Sequence, residues 1–396
     1  MTAAPARPGH LPTLIASFLH FDLSFMLWVL VGALGVFISG SLQLGPVEKA
    51  LVVAVPVLSG SLFRIPFGIL SDRFGGRRVG IGLLAFLFLP LALGWHFAGS
   101  LPSVLAMGAM LGVAGASFAV ALPLASRWYP PEKQGLAMGI AAAGNSGTVL
   151  TNLIAPRIAA SLGWHAVFGL AMIPLACVLV AFTLLARESP RPAVATGRST
   201  RELMGTRDLW WFCLFYSVTF GGYVGLSSFL PIFFRDQHGV APVQAGYLTA
   251  MAAFAGSAAR PFGGWLADRV GGVRLLSFLL VGVAAAYGLT SLLLPLGPGA
   301  AVLVAGMICL GMSNGAVFQV VPQRFPREIG RVTGIVGAIG GLGGFALPML
   351  LGTIKARAGS FGPGFALLSA VALGAAVALP LVAGGARWRS GVAEPT

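Results

Sequence analysis

The chain consists largely of apolar runs of roughly 20 residues, about twelve in number, and this is the length that a helix needs to cross a bilayer. Short polar or Gly/Pro-rich breaks separate the runs. Only 9% of the residues are charged, against roughly a quarter in a soluble domain, which excludes a soluble multidomain enzyme. The runs cover 14–39, 46–70, 79–97, 101–126, 135–156, 164–186, 208–233, 242–266, 275–295, 299–322, 332–354 and 361–383. We therefore predict an all-α integral membrane protein with one transmembrane helix for each run.

Basic residues are distributed unevenly over the two sides that these spans create. Counted by loop, 18 of the 25 lysines and arginines fall on one side and 5 on the other, while Arg64 and Arg260 lie inside spans. Because positive residues collect in cytoplasmic loops, we expect a protein of the cytoplasmic membrane with both termini in the cytoplasm. The net charge of +14 then reports topology, and nucleic acid is not the expected partner. The 18 are Arg7, Arg73, Arg77, Arg78, Arg127, Lys133, Arg187, Arg191, Arg198, Arg201, Arg207, Arg269, Arg274, Arg324, Arg327, Arg331, Arg387 and Arg389.

The two halves of the sequence repeat each other. The pattern Gly-Ser-x-x-Arg-x-x-x-Gly-x-Leu-x-Asp-Arg-x-Gly-Gly-x-Arg occupies 60–78 and returns at 256–274, an offset of 196 residues. The one long polar connection, 187–207, lies between the copies. We therefore predict an N-terminal six-helix half over 1–186, a cytoplasmic linker, and a C-terminal half over 208–396. Parallel repeats of this kind are typical of transporters that bind substrate between the halves.

Two arginines lie inside the spans at matching positions. Arg64 is eight residues before Asp72 and Arg260 is eight before Asp268, so each lies about 12 Å inside the cytoplasmic end of its helix. Each central arginine costs about 2.5–3.5 kcal/mol to insert, and every acidic residue except Asp22 falls in a loop, a tail or a helix end. A bound anion is the natural compensation, with helix-end carbonyls or water as the alternative. Two guanidinium forks match a small, flat, monovalent oxyanion.

The repeated motif ends in an acid–arginine pair followed by two glycines. The pairs are Asp72-Arg73 and Asp268-Arg269. They resemble the loop between the second and third helices of the major facilitator superfamily, and its copy in the second half. We interpret them as a charge clamp and a tight glycine turn that hold one conformation of the two halves. The simpler interpretation is that they are ordinary basic loop residues.

Two spans are unusually rich in small residues. The fifth contains Gly-Asn-Ser-Gly-Thr at 144–148, and the eleventh contains Gly-Ala-Ile-Gly-Gly-Leu-Gly-Gly-Phe at 337–345. Small residues let helices approach closely in lipid, which is one explanation of both segments. Their wording also closely resembles the paired signature helices of the nitrate/nitrite porter family of the major facilitator superfamily. The resemblance extends to segments 21–29, 114–119, 216–222 and 315–319.

The resemblance implies a major facilitator fold and a set of site residues. In that family the arginines of helices two and eight bind the anion, which here implies Arg64 and Arg260. The asparagine of helix five contacts substrate, which implies Asn145, with a contact between helices as its alternative. The family's aromatic residues in helices four and seven shape the cavity. The corresponding residues here are Phe118, Tyr216 and Phe220, with core packing as the alternative, and the signature glycines are Gly144, Gly147, Gly340 and Gly341.

Few residues can couple transport to an energy source. His20 and Asp22 lie early in the first span, and Tyr216 is the remaining candidate for proton movement. Asp22 lies about 12 Å into its span, and an ionisable residue in the membrane is a functional hypothesis. The alternative for Asp22 is an ion pair with a cytoplasmic arginine. Since no titratable group lies beside the two arginines in sequence, nitrate/nitrite exchange is the alternative to proton symport.

Together, these patterns predict a secondary active transporter of nitrate, and of nitrite as a second substrate, which works by alternating access as a monomer in the lipid bilayer. A small organic-anion carrier of the same fold, for monocarboxylate or oxalate, is the alternative. The spans contain no metal-spaced His/Cys cluster and no nucleophile–base pair, so we expect no enzyme activity, metal or cofactor. A nitrate sensor is not expected, because the tails are too short for a signalling domain.

Overall fold

The fold is helical throughout the part of the chain that the structure describes. The computed structural model describes residues 9–130, 137, 140–189, 199–325 and 328–383. Within these ranges, ten helices are long and apolar enough to span a membrane. This confirms the predicted all-α membrane protein. Seven of the predicted cytoplasmic basic residues lie outside the described residues, namely Arg7, Lys133, Arg191, Arg198, Arg327, Arg387 and Arg389.

We group the described helices into segments α1 to α12, one for each predicted span. In the first half they are α1 (Leu11–Trp28, Leu30–Ala33 and Gly35–Ser41), α2 (Pro46–Phe74), α3 (Gly76–His96), α4 (Leu101–Gly112, Val113–Ala116 and Ser117–Ser126), α5 (Ala143–Ser146 and Gly147–Leu162) and α6 (Trp164–Leu185). In the second half they are α7 (Arg207–Tyr216, Ser217–Gly221 and Gly222–His238), α8 (Pro242–Val270), α9 (Gly272–Ser291), α10 (Leu296–Arg324), α11 (Ile329–Ala358) and α12 (Gly362–Ala383). A short helix, Thr200–Met204, lies within the predicted linker.

Segments α5 and α8 are not among the ten apolar helices. The described α-helical part of α5 has only 16 residues, and it ends at Leu162, beyond the predicted end of the span at residue 156. Segment α8 has 29 residues, but Gln244, its glycines and Arg260 lower its hydropathy. Length therefore excludes α5 from the ten, and polar residues exclude α8.

Spans α1 and α7, which we expect to be continuous, are interrupted, and α4 and α5 contain 3₁₀ turns. Segment α1 breaks at Val29 and Leu34, next to Gly32, where an added Cβ would lie 2.8 Å from the backbone of Ser228 in α7. In α7, residues Ser217–Gly221 form a π-helical turn. π-Helical turns are rare and often occur at functional sites. Both interruptions lie where α1 and α7 approach the centre of the bundle.

The two copies of the repeat have the same local structure. Both α2 and α8 begin with proline, which is favoured in the first helical turn because it lacks the N–H that would be unpaired there. Both end at a glycine with positive φ, +96° at Gly75 and +90° at Gly271. Only glycine adopts this backbone at little cost. The acid–arginine pairs therefore belong to the last helical turns, and the loop itself is a single glycine.

The centre of the bundle is closed by helices of the first half against helices of the second. Segment α2 packs along α11, and α5 packs along α8. Small residues allow both approaches: an added Cβ at Gly246 would lie 2.7 Å from the carbonyl oxygen of Asn152, and one at Gly341 would collide with the Ser61 side chain. Small residues of α8 and α11 thus let helices of the two halves approach closely.

Two polar contacts join the ends of these helices on the side that we predict to face outward. Lys49 Nζ at the start of α2 lies 2.7 Å from Asp236 Oδ2 at the end of α7. Arg157 Nε at the end of α5 donates to the Tyr247 hydroxyl at the start of α8, at 2.5 Å. Both contacts connect the two halves of the sequence, so the bundle is held together on this side.

Candidate functional site

Arg64 lies at the centre of the bundle and is 2% exposed. Its Nε donates to the carbonyl oxygen of Gly115 in α4 at 3.1 Å, and its Nη1 donates to that of Gly337 in α11 at 2.5 Å. Its Nη2 is buried without a partner among the described residues. Backbone carbonyls therefore hold the guanidinium in place, but they do not neutralise its charge.

Aromatic rings surround the same guanidinium. The Arg64 Cζ atom lies 5.1 Å from the ring centroid of Trp28, 4.9 Å from that of Phe118 and 5.0 Å from that of Phe220. Aromatic faces attract cations and exclude water. The rings of Tyr216 and Phe220 stack in parallel with centroids 4.9 Å apart, as expected for residues four apart on one helical face. The predicted aromatic residues of α4 and α7 thus lie together around Arg64.

Arg260 lies in α8 and is partly buried. Its Nη1 atom is buried without a hydrogen-bond partner among the described residues. Tyr216 is completely buried and interacts electrostatically with both arginines. Its hydroxyl has no partner in the described part of the chain. The structure therefore brings the Arg64 and Arg260 side chains to one aromatic-lined centre.

No carboxylate of the described residues pairs with either arginine. Ion pairs among the described residues include those of Lys49 with Asp236, Arg127 with Asp72 and Arg324 with Asp208. Unpaired buried cations are costly in a low-dielectric interior. The N–H groups that remain on the two guanidinium groups can bind an anion between helices of the two halves.

The predicted residues of α5 lie where this segment meets α1. Asn145 is 3% exposed in the 3₁₀ turn Ala143–Ser146, and its Oδ1 has no partner among the described residues. An added Cβ at Gly144 would lie 2.7 Å from the backbone nitrogen of Asp22, and one at Gly147 would collide with the Asp22 carbonyl oxygen. The two glycines thus allow close packing of α5 on α1.

The signature glycines of α11 also mark close contacts. An added Cβ at Gly340 would collide with the Tyr216 ring, and one at Gly341 would collide with the Ser61 side chain in α2. Gly340 therefore gives space to an aromatic residue of the site. Gly341 allows the two halves to touch.

The two candidate coupling residues face different neighbours. Asp22 Oδ1 accepts a hydrogen bond from Ser146 Oγ in α5 at 2.7 Å. His20 is completely buried. Its Nδ1 lies 2.7 Å from Ser117 Oγ in α4 and its Nε2 lies 3.2 Å from the Gly80 carbonyl oxygen in α3. His20 thus joins helices of the first half, whereas Asp22 lies beside the small-residue turn of α5.

The two copies of the predicted clamp differ in their contacts. Asp72 Oδ1 accepts from Arg127 Nη2 at 2.6 Å, which ties α2 to the end of α4. Arg73 lies over its neighbour Phe74, with 5.2 Å between Cζ and the ring centroid. In the second copy Asp268 and Arg269 are exposed, and the Arg269 guanidinium lies 3.8 Å from the Trp265 ring centroid.

Sequence reasoning missed two aromatic residues of the site. Trp28 contacts Arg64 and donates through Nε1 to the Pro56 carbonyl oxygen at 2.8 Å. Phe318 in α10 packs against Tyr216, with centroids 4.9 Å apart, and stacks with Phe118 at 6.5 Å. Both residues lie in segments whose wording carries the family resemblance, so that wording was the available signal.

Comparison with protein families identifies the architecture. Residues 16–348 match the model of the Major Facilitator Superfamily. The chain belongs to this superfamily. One similar solved structure is described as a bacterial homologue of the human lysosomal transporter Spinster in an inward-facing and occupied conformation. The match covers 96% of both chains with a TM-score of 0.64 at 22% identity. This similarity concerns the fold.

Relatives within the superfamily are similar over most of their length. A protein of Bacillus subtilis named nitrite extrusion protein is 36% identical, with 88% of each chain covered. A probable nitrate/nitrite antiporter of Thermus thermophilus is 34% identical, covering 89% of this chain and 87% of its own. A probable nitrate transporter of Staphylococcus haemolyticus is 30% identical, and the match covers 89% of this chain and 91% of that protein. The resemblance inferred from the sequence to nitrate/nitrite porters is thereby confirmed.

Proposed function

We propose that this superfamily member is a secondary active transporter of nitrate and nitrite, which holds the anion between Arg64 and Arg260. The observation that carries the proposal is the buried side chain of Arg64 and the partly buried one of Arg260, each with a buried nitrogen that lacks a partner among the described residues. Relatives named for nitrate or nitrite support the choice of anion.

The chemistry of the site favours a small, flat, monovalent oxyanion. Guanidinium is planar and always charged, and its N–H groups match two oxygens of an oxyanion in one plane. The rings of Trp28, Phe118 and Phe220 hold Arg64 from its faces and exclude water. With water excluded, charge-assisted hydrogen bonds to the anion are strengthened. Nitrate and nitrite have the required charge and shape.

A panel of anions tests the substrate class on the purified protein. A ligand that binds only the folded state raises the unfolding temperature, and the rise grows with the logarithm of ligand concentration above its Kd. We expect nitrate and nitrite to stabilise the protein, and acetate and oxalate to have no comparable effect. Stabilisation by acetate or oxalate above that by nitrate would instead support the organic-anion alternative. Chemical conversion of nitrate or nitrite during the assay would contradict transport without catalysis.

We infer that the transport mode is exchange of nitrate for nitrite. In the empty site, two uncompensated positive charges repel each other. The transporter should therefore change between its two conformations more readily when an anion is bound. Asp22 is hydrogen-bonded to Ser146 in α5, and His20 is bonded to Ser117 and Gly80 within the first half. Exchange in proteoliposomes should therefore outpace net nitrate flux. Fast net entry of nitrate with stoichiometric proton entry, abolished by Asp22→Asn, would support symport instead.

We also propose an orientation in the membrane, a monomeric state and a division into two moving halves. The transporter lies in the cytoplasmic membrane with both termini inside, works as a monomer, and moves two six-helix halves, 1–186 and 208–396, about the site. The Asp72–Arg127 ion pair would hold the cytoplasmic ends of α2 and α4 in one conformation. The Arg269–Trp265 contact lies within α8 and does not join two helices. Labelling of cysteines introduced into the loops from either side of the membrane tests the orientation.

A further inference from the structure

A cavity of about 490 Å³ lies at the end of the bundle that we propose to face the cytoplasm. It is bounded by the turn between α2 and α3, the end of α4 and the end of α6. Its basic lining residues are Arg73, Arg77, Arg78, Arg127 and Arg187. We call this cavity the basic pocket. It contains none of the residues that we assign to the nitrate site.

Positive charge in the basic pocket exceeds the negative charge available to balance it. Asp72 and Glu188 are its acidic lining residues, against five arginines. Asp72 accepts from Arg127 at 2.6 Å. No carboxylate of the described residues pairs with Arg78 or Arg187, and both side chains are exposed. The guanidinium groups of Arg78 and Arg187 are therefore available to bind an anion in the pocket.

The structure already places one anionic group in the pocket, at the start of α3. Glu188 Oε2 accepts from the backbone N–H of Arg77 at 3.2 Å. The unpaired N–H groups and dipole at the start of a helix favour negative charge. Gly75 has positive φ, and an added Cβ there would collide with the Glu188 carboxylate. Glycine therefore leaves the space that the Glu188 carboxylate fills at the start of α3. The arginines that remain for a further anion are Arg78 and Arg187.

Two apolar side chains at the basic pocket are largely exposed. Phe74 and Leu184 line the pocket and are 50% and 76% exposed. Exposed apolar side chains in a membrane protein face lipid tails, and arginines at the cytoplasmic boundary attract anionic headgroups. We propose that the basic pocket binds the phosphate of an anionic phospholipid of the inner leaflet, with its acyl chains along Phe74 and Leu184. The leaflet named here rests on the proposed orientation of the transporter, whereas the binding itself does not.

The second copy of the repeat provides a matched comparison. At the offset of 196 residues, Arg73 and Arg78 correspond to Arg269 and Arg274, but the other three arginines of the pocket are not repeated. Their counterparts are Val273, Gln323 and Ala383. We therefore expect tight binding at the first copy alone, and Arg274→Gln is a control for Arg78→Gln.

Native mass spectrometry of the full chain tests this proposal with phosphatidylglycerol and phosphatidylcholine of identical acyl chains. We expect the unaltered protein to retain phosphatidylglycerol selectively. Because each arginine near an anionic lipid contributes about fivefold in affinity, the double variant Arg78→Gln/Arg187→Gln should bind about 30-fold more weakly. Arg274→Gln should bind as the unaltered protein does. Neither Arg78 nor Arg187 belongs to the nitrate site, so nitrate should stabilise all variants equally.

Three results would overturn the proposal. Equal retention of both lipids would remove the preference for anionic headgroups. Equal losses in the double variant and in Arg274→Gln would remove the site from the basic pocket. Displacement of phosphatidylglycerol by millimolar inorganic phosphate would indicate a site for free anions. If the double variant does not fold, thermal unfolding of the unaltered protein decides: phosphatidylglycerol must raise the midpoint, salt must reduce that rise, and phosphatidylcholine must have no such effect.

Discussion

Gly341 occupies one of the tightest contacts between the two halves, where α11 meets α2. An alanine Cβ at this position would lie 2.8 Å from Ser61 Cβ and would overlap its hydroxyl oxygen. The Ser61 hydroxyl donates to the Val57 carbonyl oxygen at 2.7 Å, so moving it costs a hydrogen bond. Overpacking of this kind costs about 1–3 kcal/mol. Replacing glycine by alanine inside a helix also stabilises the helix by up to about 1 kcal/mol, which offsets part of this cost.

Gly334 in the same helix separates these two effects. No atom lies within 4 Å of an added Cβ at Gly334, so Gly334→Ala gains helix propensity without a clash. We therefore expect Gly341→Ala to be less stable than Gly334→Ala by about 1–3 kcal/mol, the overpacking cost alone. Both variants are compared by thermal unfolding and by nitrate exchange in proteoliposomes.

A rescue variant makes this test stricter. Ser61→Gly removes both atoms that the alanine would meet, so Gly341→Ala combined with Ser61→Gly should lose less than the sum of the single changes. If Gly341→Ala is as stable and as active as Gly334→Ala, then close contact between α2 and α11 is not the reason for glycine at this position.

Two further predictions concern polar contacts. Tyr223→Phe removes hydrogen bonds to Ser257 at 2.6 Å and to a carbonyl oxygen at 3.1 Å, so thermal unfolding should show a loss of about 0.5–1.5 kcal/mol in stability. Tyr287→Phe removes a hydroxyl without a partner among the described residues and should not destabilise the protein. Equal losses in the two variants would contradict this account. Lys49→Gln should cost less than about 1 kcal/mol in thermal unfolding because its ion pair with Asp236 is partly exposed to solvent. It should nevertheless speed the labelling, by impermeant thiol reagents, of cysteines introduced on the side that we propose to face outward, and exchanging the two charges should reverse the effect. Unchanged labelling would show that this ion pair does not hold the outward side closed.

Much of the site is predictable because its chemistry is rare in a membrane span. Arg64 and Arg260 stand out among apolar residues at a constant offset of 196, and insertion costs alone single them out. Tyr216 and Phe220 come from the resemblance to the nitrate/nitrite porter family. Their spacing of four residues adds only that they share a helix face, and their rings do stack. By contrast, Trp28 is one aromatic residue among many in an apolar run. Its position over Arg64 depends on how α1 bends and packs, and periodicity carries no information about that.

The sequence repeat also predicts more symmetry than the structure has. Asp72 pairs with Arg127 in the first copy. The counterpart of Arg127 is Gln323, and the adjacent Arg324 pairs with Asp208 at the start of α7 instead. A motif of identical wording thus has different partners, because its contacts come from helices outside the repeated segment. The same limit applies to α7, whose π-helical turn depends on packing between helices.

The proposed anion site is tested most directly by replacing each of its arginines with lysine and measuring nitrate exchange. Lysine keeps the charge but loses the planar fork. Charge-assisted hydrogen bonds contribute about 1.5–3 kcal/mol, so Arg64→Lys and Arg260→Lys should each weaken apparent nitrate affinity by about 10-fold to 150-fold. Arg235→Lys is the matched control, because Arg235 donates to the Val240 carbonyl oxygen at the end of α7 and should not affect affinity. Unchanged nitrate affinity in both site variants would remove Arg64 and Arg260 from the site.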